Sequence, residues 1–272
     1  MMRMPGIILL ALLVLISDVR AQNDLAILTH EEPPFVFRDQ TDQLTGYAVE
    51  LVGGIQTHLG SHQPVLLNPW ARAYMRATEQ GRVVLFPLVR NEEREALFHW
   101  LMPLTRNLHA VFANGSPGKI AALEQLEQFT AVGVQRGDFR ESLLIDAGLK
   151  NLVSYTTWRQ AVTALTKGRI DALFFSAAGL DYYCGQLKRD CSSYTSIYTH
   201  NIETTYIALS RLGVDEQEAE RWQQATEAFR DSAMFTQMRN SWLKRIRSEY
   251  GLTLHYADSA LNLWALPKTV HP

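Results

Sequence analysis

Residues 86–94 read Phe86-Pro87-Leu88-Val89-Arg90-Asn91-Glu92-Glu93-Arg94, an apolar run that is followed directly by charged side chains. The run from Val83 to Val89 predicts a short buried strand, because β-branched and apolar residues follow one another without polar interruption. Pro87 predicts that the end of this strand is irregular or lies at a sheet edge, since proline has no N–H to donate. Asn91 is the predicted N-cap of a following helix, which carries two glutamates in its first turn.

Arg94 lies near the start of that helix, just beyond the carboxyl end of the strand. In open α/β sheets ligands bind at this edge, where a guanidinium can hold a carboxylate or a phosphate through two parallel hydrogen bonds. The alternative is that Arg90 and Arg94 are solvated side chains that pair with neighbouring glutamates, as most surface charges do. The choice between these interpretations depends on the rest of the chain.

The chain alternates between strand-like and helix-like segments. In the first part we predict strands at 25–30, 65–67, 83–89 and 109–113, an extended loop at 31–37, and helices at 47–59 and from Asn68-Pro69 up to Gly81. After a breaker cluster at 114–118, which predicts a hinge or domain crossing, the alternation restarts with helices at 120–126, 139–147, 158–167, 215–232 and 235–245 and strands at 130–134, 153–155, 170–175 and 206–210. This order predicts two similar α/β lobes with helix-covered parallel sheets and a cleft between them.

The N-terminal residues have the pattern of a secretory signal peptide. Arg3 precedes an apolar run from Ile7 to Ile16, and Val19-Arg20-Ala21 offers small residues at the cleavage positions. The run is too short to cross a bilayer, and no later segment has the roughly 20 apolar residues that a span requires. We therefore expect residues 1–21 to be removed after Ala21, and the mature chain to be periplasmic without membrane insertion.

Composition and cysteine content narrow the class further. The 272 residues are 47% hydrophobic and carry a formal charge of -2, which describes a globular protein without the basic footprint of a nucleic-acid partner. Cys184 and Cys191 lie close together, and in an oxidising compartment they predict a disulfide. The alternative, a metal site, lacks a histidine at ligand spacing near this pair.

Several short motifs follow one another in a characteristic order over residues 24–243. They are Pro34-Phe35, Leu44–Leu51, Asn91-Glu92-Glu93-Arg94, Val132–Gly137, Gly168–Ala172 and Thr204–Ser210. Each motif is weak alone, but their order and spacing resemble those of the periplasmic solute-binding proteins of the polar amino-acid uptake type, extracellular solute-binding protein family 3. Residues 244–272 extend beyond the segment that shows this resemblance.

The resemblance implies the α/β, two-lobed periplasmic-binding-protein fold, in which the lobes close on a solute in the cleft between them. It implies a first lobe formed by residues 22–112 and 199–272 and a second lobe formed by residues 113–198. By the same resemblance, Arg94 clamps the α-carboxylate of the solute. The turn Gly137-Asp138-Phe139 approaches that carboxylate from the second lobe, where backbone N–H groups at a helix N-terminus suit an anion.

The chain departs from the family pattern at residues expected near the solute. Ser176 replaces the aspartate that pairs with the α-ammonium group, and Asp138 replaces a serine or threonine. Asp138 either repels a carboxylate or takes over the ammonium role. We therefore expect weak discrimination for an α-ammonium group, and the solute is predicted only as polar and anionic or amino-acid-like.

Other side chains are candidates for the walls of the cleft. Trp70 and Tyr47 supply aromatic surface of the kind that lines solute pockets, with ordinary core packing as the alternative for each. Glu32 meets a cationic part of the solute or is a solvated loop carboxylate. Leu88 and Asn91, which flank the predicted strand end, complete the set of predicted ligand-binding residues.

The sequence thus predicts a binding protein with a small-molecule solute as its ligand. The predicted role is delivery of the solute to an ABC-type membrane permease, and the alternative is a sensor subunit for a membrane receptor. An enzyme on the same fold is the third interpretation, but the histidines are scattered without a nucleophile and base constellation. No catalytic residue, cofactor or metal is predicted, and we expect a monomer.

Overall fold

The computed structural model describes residues 25–115, 117–250 and 254–263. The predicted signal peptide lies outside these residues. Within them, no helix has both the length and the apolar composition needed to cross a membrane.

Long strands join two groups of shorter parallel strands into one sheet. The strands are β1 (Ala26–Thr29), β2 (Phe37–Arg38), β3 (Leu44–Thr45), β4 (Val65–Leu67), β5 (Val83–Val89), β6 (Phe98–Asn114), β7 (Val132–Gln135), β8 (Leu152–Tyr155), β9 (Ala172–Ser176), β10 (Tyr194–Ser210), β11 (His255–Ala257) and β12 (Ala260–Asn262). The main sheet has the order β4-β1-β5-β10-β6-β9-β7-β8, while β2 and β3 form a separate hairpin. Parallel strands β4, β1 and β5 belong to the first lobe and β9, β7 and β8 to the second.

Helices cover both groups of strands. They are α1 (Tyr47–Leu59), α2 (Trp70–Met75), α3 (Phe139–Asp146), α4 (Trp158–Thr166), α5 (Ala177–Gln186), α6 (Glu216–Arg230) and α7 (Ala233–Tyr250), with 3₁₀ turns at Glu92–Leu97 and Leu123–Gln128 and a π turn at Arg76–Gln80. α1 buries its apolar face against α6 and α7, with Leu51, Ile55 and Phe229 inaccessible to solvent. The predicted α/β class and the two-lobed architecture are both present.

Helix α1 has the bounds that its periodicity predicts. Its apolar residues recur at three- and four-residue steps and form the buried face. Gly60 ends the helix in the left-handed conformation with φ of 66°, which glycine adopts without steric cost. The predicted helix start at Asn68-Pro69 differs only slightly, because Pro69 caps α2 and the first helical residue is Trp70.

The loop after β1 was expected to be extended, and this prediction is wrong. Residues 33–35 form a tight turn in which the N–H groups of Phe35 and Val36 both donate to the carbonyl oxygen of Glu32 at 2.9 Å. Two consecutive prolines restrict their own φ angles, but that restriction suits turns as well as extended chain. The turn therefore directs Glu32 back towards the end of β1.

The lengths of β6 and β10 differ most from prediction. The segments 109–113 and 206–210 are only the ends of two 17-residue strands, which pair antiparallel from Phe98 with Ser210 to Asn114 with Tyr194. Their middle parts carry many polar residues, so the hydrophobic pattern of a strand is missing there. The segment predicted as a helix at 120–126 contains instead the 3₁₀ turn Leu123–Gln128, and α5 was not predicted.

The strands β6 and β10 continue without a break through the residues next to the breaker cluster 114–118. Ala110 and Phe112 pack into the core of the second lobe with Trp158, although the sequence boundaries put them in the first lobe. We therefore propose that the lobes divide within β6 and β10, near the pairs Thr105 with Thr205 and Asn107 with Glu203.

Strand β5 is a central strand that contains a bulge. It pairs with β10 on one side and with β1 on the other, and the β1 pairing ends at Phe86, one residue before Pro87. The predicted irregularity is present, because Ala208 pairs with Leu85 while Tyr206 pairs with Leu88, which leaves an extra residue on β5. The bulge turns Leu88 to the same core as Leu85 and leaves Pro87 and Val89 at the cleft.

A C-terminal hairpin covers the crossing segment of β6. β11 and β12 pair antiparallel, and β12 runs parallel to β6 with Leu261 opposite Thr105. Arg106 forms an ion pair with Asp258 of the hairpin turn. This part of the chain lies beyond the predicted resemblance and adds strands at the crossing between the lobes.

The predicted disulfide is confirmed. Cys184 in α5 and Cys191 are bonded, with 6.1 Å between their Cα atoms. The bond closes a short loop between α5 and β10 at the side of the second-lobe core.

Replacing both cysteines by serine is expected to lower the free energy of unfolding by about 2–3 kcal/mol, the chain-entropy value for so short a loop. Urea denaturation of the oxidised protein and of the double variant measures the difference. Thiol titration of the unfolded, non-reduced wild type should detect no free thiol, and two titratable thiols would contradict the assignment.

Candidate functional site

The lobes meet at two adjacent small cavities that share Glu32. The first is lined by His30, Glu32, Trp70, Pro87, Val89, Arg94, His109, Asp138, Arg140 and Thr205. The second is lined by Glu32, Pro33, Pro34, Phe35, Asn107, Trp158, Phe175, Ser176, Ala178, Gly179, Tyr183 and Leu263. They leave about 20 and 10 Å³ open to the centres of water molecules, so a solute must part the lobes to enter.

Arg94 is buried at the first cavity without a carboxylate partner. Its side chain belongs to a residue that is only 3% exposed, and no carboxylate among the described residues lies within ion-pair distance of it. One Nη donates to the carbonyl oxygen of Val89 at 3.3 Å, while Nε has no hydrogen-bond partner. The guanidinium carbon lies 4.8 Å from the ring centre of Tyr74 and 5.6 Å from that of Trp70.

Local structure at the end of β5 directs Arg94 inwards. Asn91 caps the 3₁₀ turn as predicted, because its side chain accepts a hydrogen bond from the backbone N–H of Arg94 at 3.1 Å. Arg90, on the other side of the cap, points outwards and forms a bidentate pair with Glu95. The surface interpretation therefore describes Arg90, whereas Arg94 is buried at the cleft.

Asp138 and Arg140 form a buried ion pair on the second-lobe wall. Arg140 Nε and Nη2 donate to the two Asp138 oxygens at 2.6 and 2.9 Å, and the Asp138 side chain also caps α3. Burial opposes ionisation of Asp138, but the Arg140 guanidinium and its hydrogen bonds, helped by Arg94, hold the pKa of the carboxyl below its usual value. The Arg140 guanidinium also lies over the ring of Trp158, at 4.4 Å.

His109 is held neutral by the same network. Arg140 Nη1 lies 3.2 Å from His109 Nδ1, and a guanidinium can only donate, so Nδ1 accepts and the ring hydrogen is on Nε2. Burial, followed by the charge of Arg140, lowers the pKa of His109 well below its ordinary value. His109 Nε2 has no hydrogen-bond partner within the described structure.

First-lobe groups complete the first cavity. His30 Nε2 lies 3.1 Å from a carboxylate oxygen of Glu32, which makes Nε2 a donor and leaves Nδ1 without a partner. Trp70 Nε1 donates to the carbonyl oxygen of Gly137 at 2.7 Å, a direct bond between the lobes. The ring centres of His30 and Trp70 are 4.9 Å apart.

The backbone N–H groups of Gly137 and Asp138, in the turn before α3, already donate to acceptors in the same stretch of chain. Gly137 N–H donates to Glu141, and Asp138 N–H donates to the carbonyl oxygen of Gln135. The expected capture of an anion by these amides is therefore not prepared in this structure. Phe139 lies beside the cavity, with its ring centre 5.3 Å from that of His109.

Ser176 and two further polar groups belong to the second cavity. The Ser176 hydroxyl caps α5 by accepting from the N–H of Gly179 at 3.2 Å. Asn107 Oδ1 and the Tyr183 hydroxyl are buried without partners, and burial raises the pKa of Tyr183. Besides Glu32, which both cavities share, the second cavity presents hydroxyl and amide groups.

Five predicted ligand residues do not line either cavity, namely Tyr47, Leu88, Asn91, Gly137 and Phe139. Tyr47 is 1% exposed and packs in the first-lobe core at the start of α1. Leu88 packs with Leu28 and Trp70, because the β5 bulge turns it from the cleft. The apolar surroundings of Tyr47 fit the alternative of core packing given for it, and Leu88 packs in a core as well.

The sequence prediction missed His30, Asn107, His109, Arg140, Tyr183 and Thr205 as cleft residues. His109 and Asn107 are two residues apart on β6, so they share one face of the strand. The sequence would have indicated that Asn107 and His109 share a face only if the strand had been predicted to include residues 105–109. Among the described residues, no group of three or more His, Cys, Asp or Glu side chains is placed to hold a metal ion.

No family model matches the sequence, and no curated protein sequence matches it. Solved structures do match. A histidine kinase sensor domain with similarity to periplasmic binding proteins is 23% identical, with a TM-score of 0.68 over 82% of this chain and 98% of that one. An ancestral arginine-binding protein bound to arginine is 22% identical, with a TM-score of 0.66 over 81% of this chain and 98% of that one.

A third similar structure is the ligand-binding core of GluR0 from Nostoc punctiforme in complex with L-glutamate. It is 18% identical, with a TM-score of 0.64 over 80% of this chain and 98% of that one. At such identities these similarities concern the fold alone. The chain has the two-lobed fold of periplasmic binding proteins.

Proposed function

We propose that this chain binds a small polar, anionic or amino-acid-like solute between its lobes by hinged closure. The observation that carries the proposal is Arg94, a buried guanidinium without a carboxylate partner. A buried charge is costly unless it is paired, so natural proteins rarely leave one unmatched. An anionic group of a solute would supply the missing partner.

The other arginines of the region support this assignment of Arg94 by contrast. Arg140 is equally buried but is matched by both oxygens of Asp138. Arg90 is exposed and is matched by Glu95. Arg94 alone among these three lacks a carboxylate, although it lies at the cavity between the lobes.

Closure follows from the division of the cavity between the lobes. Arg94, His30 and Trp70 come from the first lobe, and His109 and Asp138 from the second. A solute that contacts both sets stabilises the closed form, because a ligand shifts such an equilibrium by its preference for one state. The bond from Trp70 to Gly137 then acts as a direct latch between the lobes.

We further propose that the chain is exported to the periplasm and delivers the solute to an ABC-type membrane permease. A sensor subunit for a membrane receptor is the second candidate, favoured by the likeness to a histidine kinase sensor domain. Both roles use the same binding step. Crosslinking of the solute-loaded protein in intact cells, followed by mass spectrometry of the captured membrane protein, separates a permease from a receptor.

Replacing Arg94 by methionine is expected to weaken solute binding by roughly 2–5 kcal/mol, the range for removing one member of a buried charged pair. The free protein should remain as stable as the wild type, because the lost charge has no carboxylate partner and methionine keeps apolar contact with Tyr74. A thermal-shift screen of carboxylates and amino acids identifies a solute, and calorimetry measures its affinity.

The matched control is Arg90→Met, which removes an exposed guanidinium four residues away. It should leave solute affinity unchanged. A solute that stabilises the wild type and binds Arg94→Met equally well would refute the clamp.

The His109 network predicts a pH dependence of stability. Because the pKa of His109 in the folded state is lowered, the unfolded chain takes up a proton below about pH 6.5 that the folded chain refuses, and stability falls as pH falls. His109→Gln should reduce this loss between pH 6.5 and 5 by up to about 1.4 kcal/mol per pH unit. Urea denaturation at several pH values measures both slopes, and equal slopes would contradict the network.

A further inference from the structure

We infer that the solute is a hydroxylated monocarboxylate, an inference that rests on the proposed binding function and specifies its solute class. The inference comes from five polar groups at the two cavities that lack partners in the protein. They belong to His30, Arg94, Asn107, His109 and Tyr183. Each of these residues is at most 5% exposed, so its side chain has little contact with bulk solvent.

Only one of the five groups carries a fixed charge. Arg94 Nε is a cationic donor, which calls for a single anionic group such as a carboxylate. The other four groups are His30 Nδ1, Asn107 Oδ1, His109 Nε2 and the Tyr183 hydroxyl, and none of them belongs to a guanidinium or an ammonium group. A second anion would therefore find no second free cation among them, since Arg140 already has a partner at each guanidinium nitrogen.

These four groups include both donors and acceptors. His109 Nε2 is a donor, because its Nδ1 accepts from Arg140. His30 Nδ1 is an acceptor when Nε2 donates to Glu32, and Asn107 Oδ1 is an acceptor because its Nδ2 donates to Thr105. The Tyr183 hydroxyl can do either. Hydroxyl groups, which donate and accept at once, match this mixture.

An α-ammonium group matches the cleft poorly. It is charged and needs several acceptors, and each carboxylate around the cleft already faces an arginine or histidine side chain. Asp138 is held by Arg140, Glu32 by His30, and Glu203 lies 3.7 Å from His200. Ser176 adds no charge, and its hydroxyl already accepts from Gly179. The cleft is therefore built for hydroxyls beside one carboxylate.

The test compares solutes that share a carbon skeleton, using calorimetry on the full mature chain. Lactate, propionate and alanine form one set, 2-hydroxybutyrate, butyrate and 2-aminobutyrate form a second, and gluconate and hexanoate form a third. The hydroxylated member should bind at least about threefold more tightly than the unsubstituted acid for each matched hydrogen bond. The amino acid should bind no better than the unsubstituted acid.

Tyr183→Phe provides a test that leaves the core intact, because it removes only a hydroxyl without a partner. It should reduce gluconate affinity about three- to tenfold and leave hexanoate affinity unchanged. The control is Tyr194→Phe, which removes a second-lobe hydroxyl already bonded to the carbonyl oxygen of Leu165. That variant should leave both affinities unchanged.

The outcomes separate this inference from the proposed function. If amino acids bind as tightly as the hydroxy acids, or if the hydroxyl makes no difference while Arg94→Met still abolishes binding, the solute class is wrong and the binding function stands. If no carboxylate binds, or if Arg94→Met binds as well as the wild type, the proposed function itself fails.

Discussion

The antiparallel ladder between β6 and β10 is the interaction on which the rest of the structure depends. Both strands have 17 residues and run from one lobe into the other, so their register fixes how the lobes face each other. At the crossing, the hydroxyls of Thr105 and Thr205 are bonded at 2.7 Å in a buried position. The same register places Asn107 and His109 on one face of β6, at the two cavities. The site is thus assembled by strand pairing, and loops add to it.

The two buried arginines of the cleft differ in that Arg140 is paired with a carboxylate and Arg94 is not. Arg140 and Asp138 neutralise each other, and the pair also fixes the tautomer of His109 through Nδ1. Arg94 contacts two aromatic rings and one carbonyl oxygen and has no carboxylate within ion-pair distance among the described residues, although its charge helps to lower the pKa of Asp138 across the cavity. The buried Arg140–Asp138 pair contributes mainly to the shape of the site and little to the free energy of folding, because the cost of desolvating both groups offsets much of their attraction. In the proposed function, the free energy of binding an anion therefore comes mainly from Arg94.

Local sequence signals predicted much of the fold and part of the site. The uninterrupted apolar run of β5, the Asn91 cap and the bounds of α1 depend on neighbouring residues, and all three are present. The middle of β10 has no such signal, because its polar residues are stabilised by pairing with distant β6. Arg140 and Tyr183 become cleft residues only through tertiary packing. Leu88 was predicted for the cleft, but a one-residue bulge turned it to the core.

The C-terminal hairpin restricts how the lobes can open. β12 pairs with β6 at Thr105 and Arg106, where the strand passes between the lobes, and Leu263 reaches the second cavity. The hydrogen bond from Leu263 N–H to the Arg106 carbonyl oxygen lies at this point of β6, so a bend there acts directly on it. Because β10 pairs with the other edge of β6, bending there is resisted from both sides. In the hinged motion proposed above, opening that preserves these bonds would twist the three strands together, so that Asn107 and His109 keep their relation while Arg94 moves with the first lobe.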